Sequence, residues 1–366
     1  MPATPHRPVR AKSKRIVSIQ VCRGVAAIAV VLAHLRNVEV KYFKTAFMSL
    51  FQFGVMGVDL FFIISGVVIA VVTTGKFGNL RSAGTFLYHR LARIYPIYWC
   101  YAAIVLAAFL YNPAWINAGS GHQANILRSF LLLPTTQPLI MQSWTLSFEL
   151  YFYIGAFLLL AVLPNRFAVA GFVLWAGIAV TCGVFSHPAQ QILQVVFSTS
   201  VLEFLAGYLL YRVYLRTRLH PSAGLAMLAA SALWLATAIV WSVAHYPDQL
   251  WIETSIWLRP AIYGISAFLF LYGLLELERS AQLRFGRFLE GVGDWSYSVY
   301  LSHIIVIEFF GRTAARFFAH RRFAILLVDL FSIPAVLLVG YLSFTFVERP
   351  ITAFFYRPTL KPATSS

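Results

Sequence analysis

Residues 16–35 read Ile16-Val17-Ser18-Ile19-Gln20-Val21-Cys22-Arg23-Gly24-Val25-Ala26-Ala27-Ile28-Ala29-Val30-Val31-Leu32-Ala33-His34-Leu35. A predominantly apolar run of about 20 residues is long enough to cross the hydrocarbon core of a bilayer as a helix. This one nevertheless carries an arginine and an imidazole. Ionisable groups inside a span are costly, usually face a polar cavity and mark a functional path. Arg23 and His34 stand eleven positions apart. On an α-helix that places them roughly 16 Å apart along the axis and on one face to within a few tens of degrees. One cavity could hold both, at different depths.

The rest of the chain agrees with a membrane protein. Its 366 residues are 60% hydrophobic, 16% aromatic and only 11% charged, with a mean hydropathy of +0.74. Soluble domains carry about 25% charged residues. The fold expected is therefore all-α, a polytopic transmembrane helical bundle. About ten apolar segments are long enough to span, near 16–36, 50–74, 88–111, 141–163, 166–185, 193–213, 223–245, 257–276, 295–315 and 322–346. The stretch 112–140, with proline, glycine, asparagine and a short apolar piece, suits a re-entrant or interfacial element. Three regions follow: a basic N-terminal tail at 1–15, a transmembrane domain at 16–350 and a short tail at 351–366. The basic start followed by an apolar run resembles a signal peptide, but the run is long, holds Arg23 and is followed by many more, so it reads as a retained first span.

The net charge of +16 is not a nucleic-acid signal, because no soluble domain exists to carry one. The cations cluster between apolar segments, as the positive-inside rule requires. An N-terminus in the cytoplasm puts about 19 Lys and Arg inside and about 9 outside, with Arg23 in the span. An even number of spans then places both termini in the cytoplasm. The exception is the last external loop, with Arg312, Arg316, Arg321 and Arg322. Contact with anionic membrane lipids is expected. Cys22, Cys100 and Cys182 are far apart, with no metal spacing and no disulfide framework; no metal is expected.

In this topology Arg90 and Arg93 sit at the cytoplasmic start of the third span, and Arg23 in the inner half of the first. His34, Asp59 and Glu149 are expected further out. A cationic inner mouth leading to an imidazole and two carboxylates suits an anionic donor from inside and an acceptor from outside. Arginine forks match a donor pyrophosphate. Acyl transfer to a hydroxyl needs a base, for which histidine is suited, with a carboxylate to orient it or share its proton. Each residue also has a structural reading. His34 suits a helix end facing headgroups, Asp59 and Glu149 interhelical contacts, and Arg90 and Arg93 topological anchors. Arg23 could pair with Asp59 or Glu149. Glu203, His303 and Glu308 are further buried polar candidates open to both readings.

Six stretches now bear on the class. Ser18-Ile19-Gln20-Val21-Cys22-Arg23-Gly24 is followed by His34. Gly54-Val55-Met56-Gly57-Val58-Asp59-Leu60-Phe61-Phe62-Ile63-Ile64-Ser65-Gly66 opens the second span, and Phe86-Leu87-Tyr88-His89-Arg90-Leu91-Ala92-Arg93-Ile94-Tyr95-Pro96-Ile97-Tyr98-Trp99 the third. Ser143-Trp144-Thr145-Leu146-Ser147-Phe148-Glu149-Leu150-Tyr151-Phe152-Tyr153 opens the fourth. Trp295-Ser296-Tyr297-Ser298-Val299-Tyr300-Leu301-Ser302-His303 and Val347-Glu348-Arg349-Pro350 come late. In this order they resemble acyltransferase family 3, integral membrane O-acyltransferases that modify bacterial glycans.

The resemblance, from about residue 16 to 350, implies a ten-span bundle in the bacterial inner membrane. It implies an enzyme that takes an acyl group, usually acetyl, from cytoplasmic acetyl-CoA and passes it to a sugar hydroxyl of an exported or lipid-linked polysaccharide. The family's catalytic histidine falls on His34, its first-helix arginine on Arg23, its third-helix arginines on Arg90 and Arg93 and its fourth-helix acid on Glu149. His34 and Glu149 are thus expected to be catalytic and Arg23, Arg90 and Arg93 to hold the CoA phosphates. Asp59, Ser65, Trp144 and His303 would support them. Cys22 and Val67 depart from the usual leucine and phenylalanine, and the fused extracytoplasmic domain of some relatives is absent, which implies a stand-alone transferase. Two alternatives stand beside this reading: a glycan or lipid flippase or transporter, and transfer of succinyl or a longer acyl group.

Overall fold

The computed structural model describes residues 16–45, 49–116, 123–186, 188–245, 259–281, 283, 285–318 and 323–356. The tail 1–15, most of 351–366 and the cations Arg321 and Arg322 lie outside the described residues. Thirteen helices follow one another among those described. They are α1 (Val17–Phe43), α2 (Met56–Thr73), α3 (Leu80–Tyr111), α4 (Ile126–Phe130), α5 (Ser143–Val162), α6 (Ala168–Ser186), α7 (Gln191–Val196), α8 (Val201–Arg216), α9 (Pro221–His245), α10 (Ile265–Arg279), α11 (Arg287–Phe318), α12 (Phe323–Ser343) and α13 (Arg349–Phe355). A π-helical turn at Pro260–Gly264 precedes α10, and another at Phe344–Glu348 links α12 to α13.

All ten expected segments fall on these helices. Nine helices among the described residues are long and apolar enough to cross a membrane. The tenth expected span lies in α11, which is 32 residues long but is not one of the nine. The reason is visible in its packing. Ser296, Ser298, Ser302 and His303 are buried in the bundle, where α1 and α12 flank the helix. A polar face is tolerated at membrane depth when protein covers it.

Lipid tails are as apolar as leucine, so close packing, not water exclusion, holds such helices together, and small residues let backbones approach. A Cβ on Gly293 would strike the Gln20 carbonyl, and one on Gly207 the Ile63 carbonyl. The first contact sets α11 against α1, with Gly24 facing Gly293 and Val38 facing Gly311. The two helices therefore run parallel. The second sets α8 against α2. Phe62, Phe152 and Phe204 interlock beside it.

Helix ends are closed by side chains from elsewhere. The N–H groups of Val17 and Ser18 donate to the Glu278 carboxylate at 2.8 and 2.7 Å, so the end of α10 caps the start of α1. Asn79 caps α3 by accepting from the Ser82 N–H at 2.9 Å. The Tyr356 hydroxyl donates to the His89 carbonyl near the start of α3 at 2.8 Å. Since α1 and α2 run antiparallel, with Gly57 against Ala26 and Gly54 against Ala29, the first and last described residues emerge on one face of the bundle.

The stretch before α5 does enter the bundle. Halfway along α3, Tyr98 Oη, Trp99 Nε1 and Tyr95 Oη donate to the consecutive carbonyls of Ser129, Phe130 and Leu131 at 2.7, 2.9 and 2.9 Å. Ser129 Oγ donates to the Asn125 carbonyl and accepts from the Leu139 N–H. Irregular backbone at this depth needs its polar groups satisfied internally, and α3 supplies the donors. Pro96 lies within this aromatic turn; it withholds an N–H from the helix ladder, a usual cause of a kink. The consequence is that α5 begins inside the bundle, not at its surface.

Candidate active site

Five helices enclose a cavity of about 80 Å³, several times the ~10–15 Å³ that one water needs. Its polar wall is Arg23 from α1, Ser65 from α2, Arg90 and Arg93 from α3, Glu149 and Tyr153 from α5, and Ser296 and Tyr297 from α11. Its apolar wall includes Val58, Phe61, Phe62 and Leu146, and Thr145 and Tyr300 line it as well. Sequence spacing explains the convergence: Arg90 and Arg93 are one turn apart on α3, as are Phe62 and Ser65 on α2.

Glu149 corrects the expected layering. It was expected in the outer half, apart from the inner cations, yet it lines the same cavity as Arg23, Arg90 and Arg93. The start of α5 within the bundle lowers it. Its Oε1 accepts from Ser65 Oγ at 3.2 Å and also from the Tyr153 hydroxyl. No hydrogen bond joins it to His34 among the described residues, so the expected orienting contact is not made directly.

The three arginines share a notable state. Among the described residues none of them makes a hydrogen bond or an ion pair within 4 Å. The charges of Glu149 and Glu348 act on both Arg23 and Arg93, which also repel each other. Arg90 lies over the rings of Phe86 and Tyr153 at 5.8 Å each, and its buried Nε has no partner. Glu348, at the last π-helical turn, accepts from Ser298 Oγ at 2.6 Å. No short pair occupies these guanidinium forks, on which Glu149 and Glu348 act only at longer range; forks of this kind match the oxygens of an anion.

His34 does not line that cavity. Its Nδ1 stands 2.9 Å from the Val30 carbonyl. A carbonyl only accepts, so Nδ1 carries the proton and Nε2 keeps the basic lone pair. The ring meets His303 edge-on at 5.0 Å between centroids. His303 repeats the pattern: Nδ1 contacts the Tyr300 carbonyl at 2.5 Å, and its fully buried Nε2 has no partner. His303, expected as a supporting residue, is thus the neighbour of His34.

Asp59 is also placed differently. Neither Arg23 nor Arg90 pairs with it. Arg259 does, with Nε to Oδ1 and Nη2 to Oδ2 both at 2.9 Å, and Nη2 also reaches the Val55 carbonyl. Trp144 packs its ring against this guanidinium at 5.8 Å. Glu203 is buried beside Asp59. Arg259 falls within the expected span 257–276 and is given no role by the sequence. The one signal was its place directly before Pro260 at the head of an apolar run. Glu308 takes a structural place, with Lys41 Nζ at 2.6 Å and the Tyr42 hydroxyl at 2.7 Å. Tyr153, Tyr297, Tyr300 and Glu348 lie inside quoted motifs but had been given no role. No cluster of three metal-ligating His, Cys, Asp or Glu side chains exists among the described residues.

Comparison with known proteins gives this geometry its chemical class. The exopolysaccharide production protein ExoZ of Rhizobium meliloti (strain 1021) is 28% identical over 273 residues, covering 70% of this chain and 78% of its own. Acyltransferase MdmB of Streptomyces mycarofaciens is 27% identical over 328 residues, covering 81% and 80%. No solved structure matches the chain. The sequence profile of an acyltransferase domain matches residues 16–347. With nearly its whole bundle inside that match, the chain belongs to acyltransferase family 3 and is a multi-pass membrane acyltransferase.

Proposed function

We propose that the protein moves an acyl group, acetyl in the first place, from cytoplasmic acyl-CoA to a sugar hydroxyl of an exported or lipid-linked polysaccharide in the bacterial cytoplasmic membrane. The observation that carries this reading is the set of three guanidiniums facing one cavity without a short ion pair. CoA brings a pyrophosphate and a 3′-phosphate, and arginine forks match phosphate oxygens. Arg23, Arg90 and Arg93 would hold those phosphates. The face of the bundle where both described ends emerge would be cytoplasmic, in keeping with the loop charges. The glycan acceptor is suggested by the outer position expected for His34 and by the name of the ExoZ relative.

His34 is the general base in this reading. Its Nε2 takes the proton of the acceptor hydroxyl while that oxygen attacks the thioester carbonyl. The C–S bond breaks, the ester forms, and the proton passes to the CoA thiolate. His303 supports the imidazole through its ring. Glu149, held by Ser65 and Tyr153, serves the donor cavity, where one carboxylate oxygen remains for the amide or hydroxyl donors of the CoA chain.

The test is transfer of labelled acetyl from acetyl-CoA to polysaccharide in membranes containing the wild type, His34→Ala or neither. Loss of a general base lowers rate by about 10²–10⁴, so label should fall by at least about a hundredfold in His34→Ala at equal protein level. Wild-type labelling in that variant would overturn the role of His34. Label from succinyl-CoA but not acetyl-CoA would change the acyl group and keep the enzyme.

A further inference from the structure

One aromatic ring both lines the cavity and touches the histidine pair. Tyr300 and Phe61 are among the residues that line the cavity. Their rings meet edge-on, with centroids 6.1 Å apart. Tyr300 also meets His303 at 5.6 Å, and His303 meets His34 at 5.0 Å. Neither histidine lines the cavity. His34 is half-buried and so reachable from elsewhere, whereas His303 is fully buried.

The ring is tethered. Tyr300 Oη lies 2.6 Å from Thr145 Oγ1 and donates to the Gln142 carbonyl at 2.9 Å. Thr145 Oγ1 also contacts the Gln142 carbonyl, at 3.1 Å. Both anchors belong to the junction where the irregular segment becomes α5. A tether on a helix start that follows irregular backbone is easier to displace than one in mid-helix.

We propose that Tyr300, backed by Phe61, is a gate between the donor cavity and the reactive histidines. Closed, it keeps a bound thioester away from His34 and from water arriving by the acceptor side. Open, it lets the thioester reach the imidazole. This rests on the acyltransfer reading for its chemistry, but not for its geometry. A gate of this kind would give the buried, unpartnered Nε2 of His303 a passage to meet when open.

A failed gate should permit a wasteful reaction. Water attacks the thioester carbonyl, the C–S bond breaks, and a carboxylate and CoA thiol form, with the extra proton released to solvent. The experiment compares purified, lipid-reconstituted wild type with Tyr300→Phe, which keeps the ring and loses the tether, and Phe61→Ala, which removes the backing. Thiol release from acetyl-CoA is measured without acceptor and with polysaccharide. The expected result is a rise of about tenfold in the ratio of acceptor-independent to acceptor-dependent release, largest in Phe61→Ala. A ratio equal to wild type in both variants would overturn the gate.

A second readout needs no activity. Diethyl pyrocarbonate modification, mapped by mass spectrometry, should leave His303 protected in the wild type and label it several times faster in both variants. Equal protection in folded variants would overturn the gate whatever the donor proves to be. Wild type that releases no thiol from any acyl-CoA, with His303 labelling still increased in the variants, would strike the acyltransfer reading and leave the gate standing.

Discussion

Two clusters of arginine and carboxylate sit inside this bundle, and they are built in opposite ways. At Asp59 the charges are matched: Arg259 holds the carboxylate with two 2.9 Å bonds and leans on Trp144 and Tyr263. In the cavity, Arg23, Arg90 and Arg93 line the same space as Glu149, yet none of them closes a short pair. The same residue types thus do different work. A pair that satisfies itself ties α2 to the turn before α10. A set that leaves its cations facing open space is prepared for something anionic.

The comparison breaks most sharply at Arg259. Removing one member of a buried pair strands the other and costs about 3–5 kcal/mol, whereas replacing both with apolar residues is often close to neutral. Arg259→Ala should lower the thermal unfolding midpoint in detergent sharply, and Asp59→Leu combined with Arg259→Met should restore most of it. A single variant as stable as wild type would show the pair to be dispensable. A smaller loss is expected in the cavity. Arg93→Ala should lower the unfolding midpoint less than Arg259→Ala, because Arg93 closes no short ion pair and feels Glu149 and Glu348 only at longer range. It should lower kcat/KM for the acyl donor about 10–100-fold, the value of a charge-assisted contact of roughly 1.5–3 kcal/mol. An Arg93→Ala destabilised as much as Arg259→Ala, with an unchanged donor KM, would make the cavity a second structural cluster.

Smaller changes sharpen the contrast. Ser65→Ala removes one of the two donors on Glu149 Oε1 and should cost about 0.5–1.5 kcal/mol, read as a rise of several fold in donor KM with kcat nearly kept. Lys41→Ala removes a half-exposed partner of Glu308; exposed pairs are worth about 0.2–1 kcal/mol, so its unfolding midpoint should move by only a degree or two. A shift as large as that of Arg259→Ala would mean that the outer network is as tightly coupled as the inner pair.

The helices were legible because length and apolar content decide them, and even the polar span 295–315 was recoverable from its flanks. Arg23, Arg90, Arg93 and Glu149 were legible as candidates because charge in a span is rare. Their arrangement was less so. The depth of Glu149 depends on where α5 starts, and that is set by three side chains of α3 binding the carbonyls of residues 129–131, contacts with no sequence period. Asp59 was assigned the wrong arginines for a related reason. Its true partner is 200 positions away, at the edge of a span, where a cation is normally an anchor. The role of Tyr300 was invisible for a third reason: a tyrosine in an apolar motif has no unusual chemistry until its neighbours are known.

The parallel contact of α1 with α11 also has a consequence in time. The helix that carries Arg23 and His34 is made long before Gly293 and His303. At roughly 5–20 residues per second, about 15–50 s separate the emergence of the two helices from the ribosome. For that interval the first helix must wait without its principal neighbour, although α2 and, later, Glu149 on α5 are already made. The cell therefore holds an unfinished enzyme in its membrane for most of each synthesis. A chain truncated before residue 287 would be expected to be recognised and degraded, not merely inactive.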